Sequence, residues 1–337
     1  DGLDEWNILF DRSDKKRNLR SSWIRTPIQF STGMLAYSGK LIWDDPIPPA
    51  HTNISFIPYI AGSTSKDSEA TPEQTSSDLQ GGFDAKVGIT PSLNLDLTFN
   101  PDFSQVEVDQ QVINLTRFEF RFPERRQFFL ENSDLFNRAG LPEARPFFSR
   151  RIGLVRDSNG FYQKVPIVFG ARVSGSLDEK WRLSVMNMQT KKELDVGLPA
   201  QNYTVATVQR NFWRQSSFAV TFVNKESLHV GYEDSTKYFH ESIFKPIALD
   251  GDTVLRKNTF NRVLAFDLEM LSPDNKWHNS SFFATSYDNF NDSENIALGT
   301  FLEYSTRELY IRFKPTYVGK NFNAEARFVP SANVYPG

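Results

Sequence analysis

Residues 93–136 read LNLDLTFNPDFSQVEVDQQVINLTRFEFRFPERRQFFLENSDLF, and the motif RPFFSRR follows at residues 145–151. The first seven residues alternate strictly, with apolar side chains at the odd-numbered positions from Leu93 to Phe99 and polar ones between them. This alternation is typical of a strand with one apolar and one polar face. Asn100-Pro101 then ends the strand, because proline has no amide hydrogen to give to a sheet and restricts the residue before it. The segment that follows is rich in both charged and aromatic residues.

Similar alternating segments recur along the rest of the chain. None of them keeps a helical period over the roughly eleven residues that a helix pattern requires. We therefore predict an all-β protein of many antiparallel strands. The segments are Met34–Trp43, Ile167–Val173, Trp181–Val185, Tyr203–Val205, Phe218–Phe222, Leu228–Tyr232, Phe260–Met270, Phe283–Tyr287, Leu309–Phe313 and Phe322–Phe328.

Sandwiches, propellers and transmembrane barrels all produce this pattern, and three features favour an outer-membrane β-barrel. The longer segments run for about 9–11 residues, which suits a tilted strand that crosses a bilayer. Short turns such as Ser272–Lys276 contrast with long polar excursions such as Asp234–Asn258, although the alternation breaks at Lys225–Ser227. Tryptophans stand at strand ends, where an aromatic girdle would place them: Trp43, Trp181, Trp213 and Trp277.

The composition excludes several classes of protein. The chain has 337 residues, of which 14% are aromatic, and no cysteine, so it has neither disulfides nor thiolate metal sites. A net charge of −3 argues against a nucleic-acid partner. The four histidines are scattered and match no metal-binding spacing, so no metal or other cofactor is predicted.

The segment at residues 93–136, together with PFFSRRIGL at residues 146–154, closely resembles a family of Gram-negative envelope proteins. In that family a domain similar to carbohydrate-binding module family 9 precedes a large domain of unknown function that is expected to be an outer-membrane barrel. The resemblance is dense over residues 82–155 and looser over 156–215. It implies that residues 1–30 are the tail of the sugar-module-like β-sandwich and that residues 31–337 belong to a partial barrel with further strands after Gly337. It also implies a glycan as the ligand class.

Acidic and basic side chains crowd residues 100–151. Guanidinium groups form bidentate pairs with carboxylates, so we predict a ladder of ion pairs that holds this segment inward against the barrel wall, like a plug. An alternative is a glycosidase pair of carboxylates chosen from Glu107, Glu124 and Glu131. Ion pairing lowers a carboxyl pKa, the opposite of what a general acid needs, so no catalytic residue is predicted. The predicted ladder consists of Asp102, Glu107, Asp109, Arg117, Glu119, Glu124, Arg125, Arg126, Glu131, Arg150 and Arg151.

Phenylalanines flank the arginines of this segment at nearly every step. They suit either a sugar-stacking platform or the apolar anchor of a plug, and the lack of Trp and Tyr between residues 82 and 151 favours packing with cation–π contact. The phenylalanines are Phe118, Phe120, Phe122, Phe128, Phe129, Phe147 and Phe148.

Together these features predict a non-enzymatic outer-membrane β-barrel of the Gram-negative envelope that acts in glycan binding or uptake, or in envelope assembly. The expected partners are outer-membrane lipid, a glycan and an envelope protein complex, with no nucleic acid. Two alternatives stay open: a secreted or surface-anchored carbohydrate-active hydrolase, and a subunit of a larger outer-membrane complex. The barrel prediction requires the apolar side of the strands to face away from other protein.

Overall fold

A computed structural model describes residues 5–27, 33, 37–44, 53–67, 74–101, 124–137, 139–141, 145–156, 162–213, 215–249, 252–290 and 293–326. Within these residues the protein is all-β and antiparallel apart from a few short helices. None of the helices there is long and apolar enough to cross a membrane.

The N-terminal residues form two small strand pairs. Strand β1 (Glu5–Ile8) pairs with β4 (Gly39–Ile42), and β2 (Asp11–Asp14) pairs with β3 (Leu19–Ser22). The β1–β4 pair joins residues on either side of residue 30, where the sequence predicted a domain boundary. Trp43 follows β4 and packs edge-to-face on Trp6, so it lies outside the large sheet described next.

Twelve strands form one large antiparallel sheet. Because consecutive strands of this sheet are also neighbours in space, it is an up-and-down meander. Two excursions interrupt the meander: residues 100–166 and residues 228–259. The sheet strands are β5 (Ile54–Asp67), β6 (Gln74–Thr90), β7 (Leu93–Phe99), β10 (Ile167–Ser176), β11 (Trp181–Thr190), β12 (Gln201–Phe212), β13 (Ser216–Ser227), β16 (Phe260–Leu271), β17 (Trp277–Asp288), β18 (Ile296–Ser305), β19 (Tyr310–Phe313) and β20 (Thr316–Val318).

The connections of the sheet differ between its two ends. At one end, here called the turn end, the strands are joined by short turns such as 177–180, 213–215 and 272–276. At the other, the loop end, both long excursions leave and re-enter the sheet. Within the described residues the sheet is open, because its outermost strands β5 and β19 do not pair with each other.

The observed strands correct three sequence predictions. Lys225–Ser227 is no turn but the end of β13, because Lys225 and Ser227 pair with the neighbouring strands and face the protein interior. The alternation of short turns and long excursions is therefore not broken at these residues. Leu228–Tyr232 is not a strand and starts the second excursion. Phe322–Ala326 is not a strand either, because these residues pack on one face of the sheet instead of pairing at its edge.

The two faces of the sheet have opposite polarity to that of a water-soluble protein. One face, here called the covered face, carries buried polar and charged side chains such as Thr98, Arg172 and Gln209 among its apolar ones. The other, the open face, carries Leu97, Phe169 and most other apolar side chains of the alternating pattern, and these are exposed or half-buried.

Three apolar residues of the predicted alternating segments in the sheet lie elsewhere. Ile167, Tyr203 and Val205 are buried in the core cluster of the covered face. The apolar side of the short segment Tyr203–Val205 therefore faces the protein, whereas most of the alternating apolar residues face away from it.

A belt of small side chains crosses the covered face. The strand register places one small residue opposite the next on seven adjacent strands, and each is at most 1% exposed. Small side chains let another segment approach the sheet backbone closely. The belt consists of Ser174, Ser184, Thr207, Thr221, Ala265, Ala284 and Ala297.

The described part of the first excursion lies on this belt. It contains two short helices, α1 (Gln127–Leu130) and α2 (Ser133–Asn137), and one turn of 3₁₀ helix at Ser149–Arg151. We call its described residues from 124 to 152 the plug segment. It is followed by the hairpin β8 (Leu154–Arg156) and β9 (Tyr162–Lys164), and the second excursion carries the hairpin β14 (Phe244–Leu249) and β15 (Asp252–Lys257).

Candidate functional site

A buried ion pair closes the plug segment on itself. Arg126 donates from Nη2 to Oε2 of Glu124 at 2.8 Å, and both side chains are almost fully buried. The same guanidinium donates to the backbone oxygens of Ile152 (2.8 Å) and Ser149 (2.9 Å), so it ties the start of the segment to its end. The hydroxyl of Ser149 also donates to Glu124, at 2.8 Å.

The charge state of Glu124 follows from these contacts. Burial by itself would raise the pKa of Glu124, because it disfavours the charged carboxylate. The hydrogen bonds and charge of Arg126, with the hydrogen bond of Ser149, outweigh burial and hold the pKa below its ordinary value. Glu124 is therefore a carboxylate at neutral pH, which suits a structural clasp and not a general acid.

Arg172 anchors the plug segment to the large sheet, which we call the wall. It lies on β10, is 1% exposed, and donates to Oδ2 of Asp96 from both Nε (3.1 Å) and Nη2 (2.7 Å). Its Nη1 donates to the backbone oxygen of Glu131 at 2.8 Å, and its guanidinium lies 5.1 Å from the ring centre of Phe128. One wall side chain thus holds both a carboxylate of the wall and the backbone of the plug segment.

Two further ion pairs join the plug segment to the wall. The carboxylate of Glu131 accepts from Lys86 on β6 and, at 3.2 Å, from the amide of Asn94 on β7. Asp134 at the start of α2 accepts from Arg182 on β11 at 2.6 Å. These pairs are partly open to solvent, so they position the segment more than they stabilise it.

Three further hydrogen bonds complete the attachment. The amide of Gly140 donates to Oδ1 of Asp267 on β16 at 2.7 Å, and the amide of Phe148 donates to the backbone oxygen of Ala326 at 2.7 Å. Asn132 donates to the hydroxyl of Ser174 in the belt at 3.1 Å. The plug segment is therefore fixed along its length.

The plug segment and the wall also share an apolar core. Phe128, Phe129, Phe136 and Phe147 are buried in one core cluster with wall residues such as Met186. Arg126 lies 4.2 Å from the ring centre of Phe129. Because these rings are covered, they cannot stack on a sugar.

The structure describes only part of the predicted ladder. Glu124, Arg126 and Glu131 form the pairs given above, whereas Arg125 is exposed and its backbone amide donates to Glu124 at 3.1 Å. Arg150 is buried, and burial lowers its pKa. Arg151 lines a cavity of about 220 Å³ at the loop end. Asp102, Glu107, Asp109, Arg117 and Glu119 lie outside the described residues, as do Phe118, Phe120 and Phe122.

Sequence reasoning missed the wall partners of the ladder. Lys86, Arg172 and Arg182 lie on strands distant in sequence from the carbonyl or carboxylate that each holds. One signal could have found them: in an alternating strand, each of these charged residues stands at a position whose side chain points away from the apolar face. Lys225 shows the same signal, and its ammonium pairs with Glu325 at the loop end.

These features define a class of protein: an antiparallel meander with one face filled by its own chain and an apolar face that no described residue of the chain covers. Residues 49–165, about a third of the chain, match the family model described as Domain of unknown function (DUF5916). The matched range contains β5 to β9 and the whole plug segment. No curated protein matches the chain. The sugar-module-like nature of residues 1–30 stays a prediction.

Proposed function

We propose that this chain supplies wall and plug of an outer-membrane β-barrel in the Gram-negative envelope. The proposal rests on the inverted polarity of the sheet, because a barrel in lipid turns its apolar face outward and its polar face inward. Large apolar side chains on the open face are substantially exposed, for example Phe169 (44%), Phe222 (38%), Phe283 (39%) and Leu298 (41%). A contiguous exposed surface of this kind marks an interaction site.

The open face also has the dimensions of a membrane band. Trp277 begins β17 at the turn end, where it packs at 4.7 Å from the ring of Tyr304, and Tyr287 lies near the loop end of the same strand face. About ten residues separate Trp277 and Tyr287, or ~33 Å along the strand at ~3.3 Å per residue. With the strand tilt of ~40° found in such barrels, the height is ~25 Å, equal to the usual apolar band.

Polar side chains of the open face near the loop end satisfy one another. Asn187 on β11 donates to Asn202 at 2.9 Å and to Thr204 at 2.8 Å on β12, and Asn202 donates back at 3.1 Å. Mutual hydrogen bonding lowers the cost of such groups near lipid. The Asn187–Asn202 cluster lies close to the loop end, which suits the interface above the apolar band. A second polar cluster lies within the band, where Asn279 and Ser281 on β17 are hydrogen-bonded to Thr300 on β18.

The attached plug segment supports a binding or assembly role in preference to an open pore. The segment occupies the covered face through an apolar core and a buried ion pair, so the covered face is already filled where it is described. The resemblance to envelope proteins with a sugar-binding module supports a glycan as ligand. Glycan binding or uptake and envelope assembly are the roles we propose, without catalysis.

The hydrolase alternative needs two unpaired carboxyl groups that face each other across an open cleft. In the described part of the central segment, Glu124, Glu131 and Asp134 each pair with a cation. No observation there favours hydrolysis, and we do not propose it.

The test is the behaviour of the full chain when it is secreted into the envelope of a Gram-negative host. We expect it in the outer-membrane fraction, resistant to alkaline extraction and dependent on detergent for a monodisperse state. Recovery as a monodisperse protein without detergent would overturn the membrane proposal. Addition of purified cell-surface glycans, followed by calorimetry, then tests the ligand class separately.

A further inference from the structure

A cavity lies on the covered face at the loop end, beyond the plug segment. It has a volume of about 220 Å³. Its lining comes from the end of the plug segment and the residues after it, from β11, β12 and β13, from the second excursion, and from Glu325. Glu241 is exposed and Arg151 and His240 are half-buried, so these residues form the rim of the cavity.

The interior of the cavity has a polar wall. The strand register places Tyr203 on β12 directly opposite Lys225 on β13, and each is at most 7% exposed. The hydroxyl of Tyr203 donates to Oε1 of Gln201 at 2.7 Å. The ammonium of Lys225 pairs with the carboxylate of Glu325, which also accepts from the amide of Asn258 at 3.2 Å.

These buried groups keep hydrogen-bonding capacity that the described residues do not use. An ammonium has three donors, and among the described residues Lys225 donates to Glu325 alone. Nε2 of Gln201 has one long contact, to the hydroxyl of Ser227 at 3.4 Å, and the oxygen of Tyr203 accepts from no described residue. Because unsatisfied buried polar groups are costly, we expect the cavity to hold a molecule that bonds to them.

The rest of the interior is largely apolar. Val155, Val165 and Leu198 line it, and they belong to a core cluster separate from the one under the plug segment. A sugar ring suits such a lining, because it has hydroxyls at its rim and C–H groups on its faces. Drug-sized ligands occupy about 300–1,000 Å³, so the smaller volume here suits one ring.

The charges around the cavity balance one another, with two cations and two carboxylates. The charged residues of the lining are Arg151, Lys225, Glu241 and Glu325. The backbone amide of Ser242 donates to Nδ1 of His240 at 3.2 Å, which requires a neutral imidazole. The lining therefore favours a neutral ligand over an anion or a cation.

We propose that this cavity binds one neutral pyranose unit of a glycan. Lys225 and Gln201 donate to its hydroxyls, the oxygen of Tyr203 accepts from one, and the C–H faces pack on Val165 and Leu198. The long loops of outer-membrane barrels are extracellular, so the site faces the outside of the cell. This inference rests on the proposed glycan-binding role and adds the ligand unit and its site.

The test is calorimetric titration of the full chain in a detergent without a sugar headgroup. The probes are the methyl glycosides of glucose, galactose and mannose, together with the acid and the amino sugar that correspond to each. We expect saturable binding of at least one glycoside with a dissociation constant of about 1 mM, as ligand efficiency allows for about 13 non-hydrogen atoms. Its charged counterparts should bind about tenfold or more weakly, because burying an unpaired charge is costly.

Two variants and a control locate the site. Tyr203→Phe keeps the ring and removes the acceptor oxygen, so it should weaken binding by about two- to tenfold. Gln201→Glu keeps the shape and replaces the Nε2 donor with an acceptor, so it should weaken binding by about tenfold. Tyr238→Phe is the matched control, because Tyr238 is buried in the same core cluster but does not line the cavity, and its affinity should equal that of the wild type. Thermal unfolding of each variant shows whether its fold is intact.

Three results would each overturn the inference: no saturable binding of the three glycosides, tighter binding of a charged sugar than of its neutral parent, or equal losses in Tyr203→Phe and Tyr238→Phe. If purified cell-surface glycans bind in any of these cases, the proposed glycan-binding role stands without this site. If neither the glycans nor the glycosides bind, the role and the site both fail.

Discussion

At the scale of single residues, the charged groups of this protein differ in how completely they are enclosed. Arg126 and Arg172 are buried, and each combines a carboxylate with backbone oxygens as acceptors. A buried cation with unsatisfied donors is costly, and these acceptors remove that cost. Lys86 and Arg182 also pair with carboxylates but keep contact with water. Loss of the carboxylate partner should therefore lower the free energy of unfolding much more at Arg126 than at Arg182.

We expect Glu124→Gln to lower the free energy of unfolding at neutral pH by about 3 kcal/mol, because it leaves the charge of Arg126 buried and unpaired. Since the folded pKa of Glu124 lies below its unfolded value, the wild-type carboxylate contributes its full stability above about pH 4.5 and loses it as pH falls through the folded pKa. Chemical unfolding in detergent at a series of pH values measures both effects.

The variant should lose less stability than the wild type between about pH 4.5 and the folded pKa of Glu124, because it has no carboxylate there to protonate. Arg125→Gln is the control, since Arg125 is exposed beside the same pair. A Glu124→Gln variant as stable as the wild type at neutral pH would contradict the role of the pair.

At the scale of elements, alternation in the sequence predicted most strands of the large sheet. The pattern failed where contacts between distant parts of the chain determined the local structure. Lys225 and Glu226 suggest a turn by composition, yet Lys225 continues β13 because its ammonium reaches Glu325 across the covered face. Helices α1 and α2 are 4 and 5 residues long, too short to show a helical period. The ladder residues were recognisable in the sequence. Their partners on the wall were not, because strand register decides which wall side chains lie next to them.

The belt gives a prediction about which face of the sheet is packed. Ala265→Leu inserts a large side chain where the plug segment lies, and we expect a loss of about 1–3 kcal/mol in the free energy of unfolding. Limited proteolysis should also cut the plug segment faster. Ala206→Leu is the matched change on the open face, since Ala206 lies in β12 with its side chain on the other side of the sheet.

Ala206→Leu should change stability by less than about 0.5 kcal/mol, as is usual for surface substitutions. Equal losses in both variants, or a larger loss for Ala206→Leu, would show that the open face is packed against protein.

At the scale of the whole molecule, the same alternating sequence is compatible with a sandwich core and with a membrane wall. The difference lies in what meets the apolar face, which a strand pattern alone does not reveal. In the structure Phe218 and Phe283 meet neighbouring strands of their own sheet, such as Phe266 on β16, and no second described sheet covers them. The polar face is the one that the chain fills, with Arg172 and Asp96 among the buried groups. This arrangement costs stability in water and is favourable in lipid.

The environment of the open face can be measured directly by placing a charge on it. Phe283→Arg puts a guanidinium in the middle of the band, at a side chain that is 39% exposed. If the face meets lipid, the variant should lose about 2–4 kcal/mol of unfolding free energy in bilayer vesicles. Leu255→Arg, at a side chain that is 43% exposed on β15 of the second excursion, is the control and should change it by no more than about 0.5 kcal/mol. If Phe283→Arg were as well tolerated as Leu255→Arg, the open face would be in contact with water and the membrane proposal would fail.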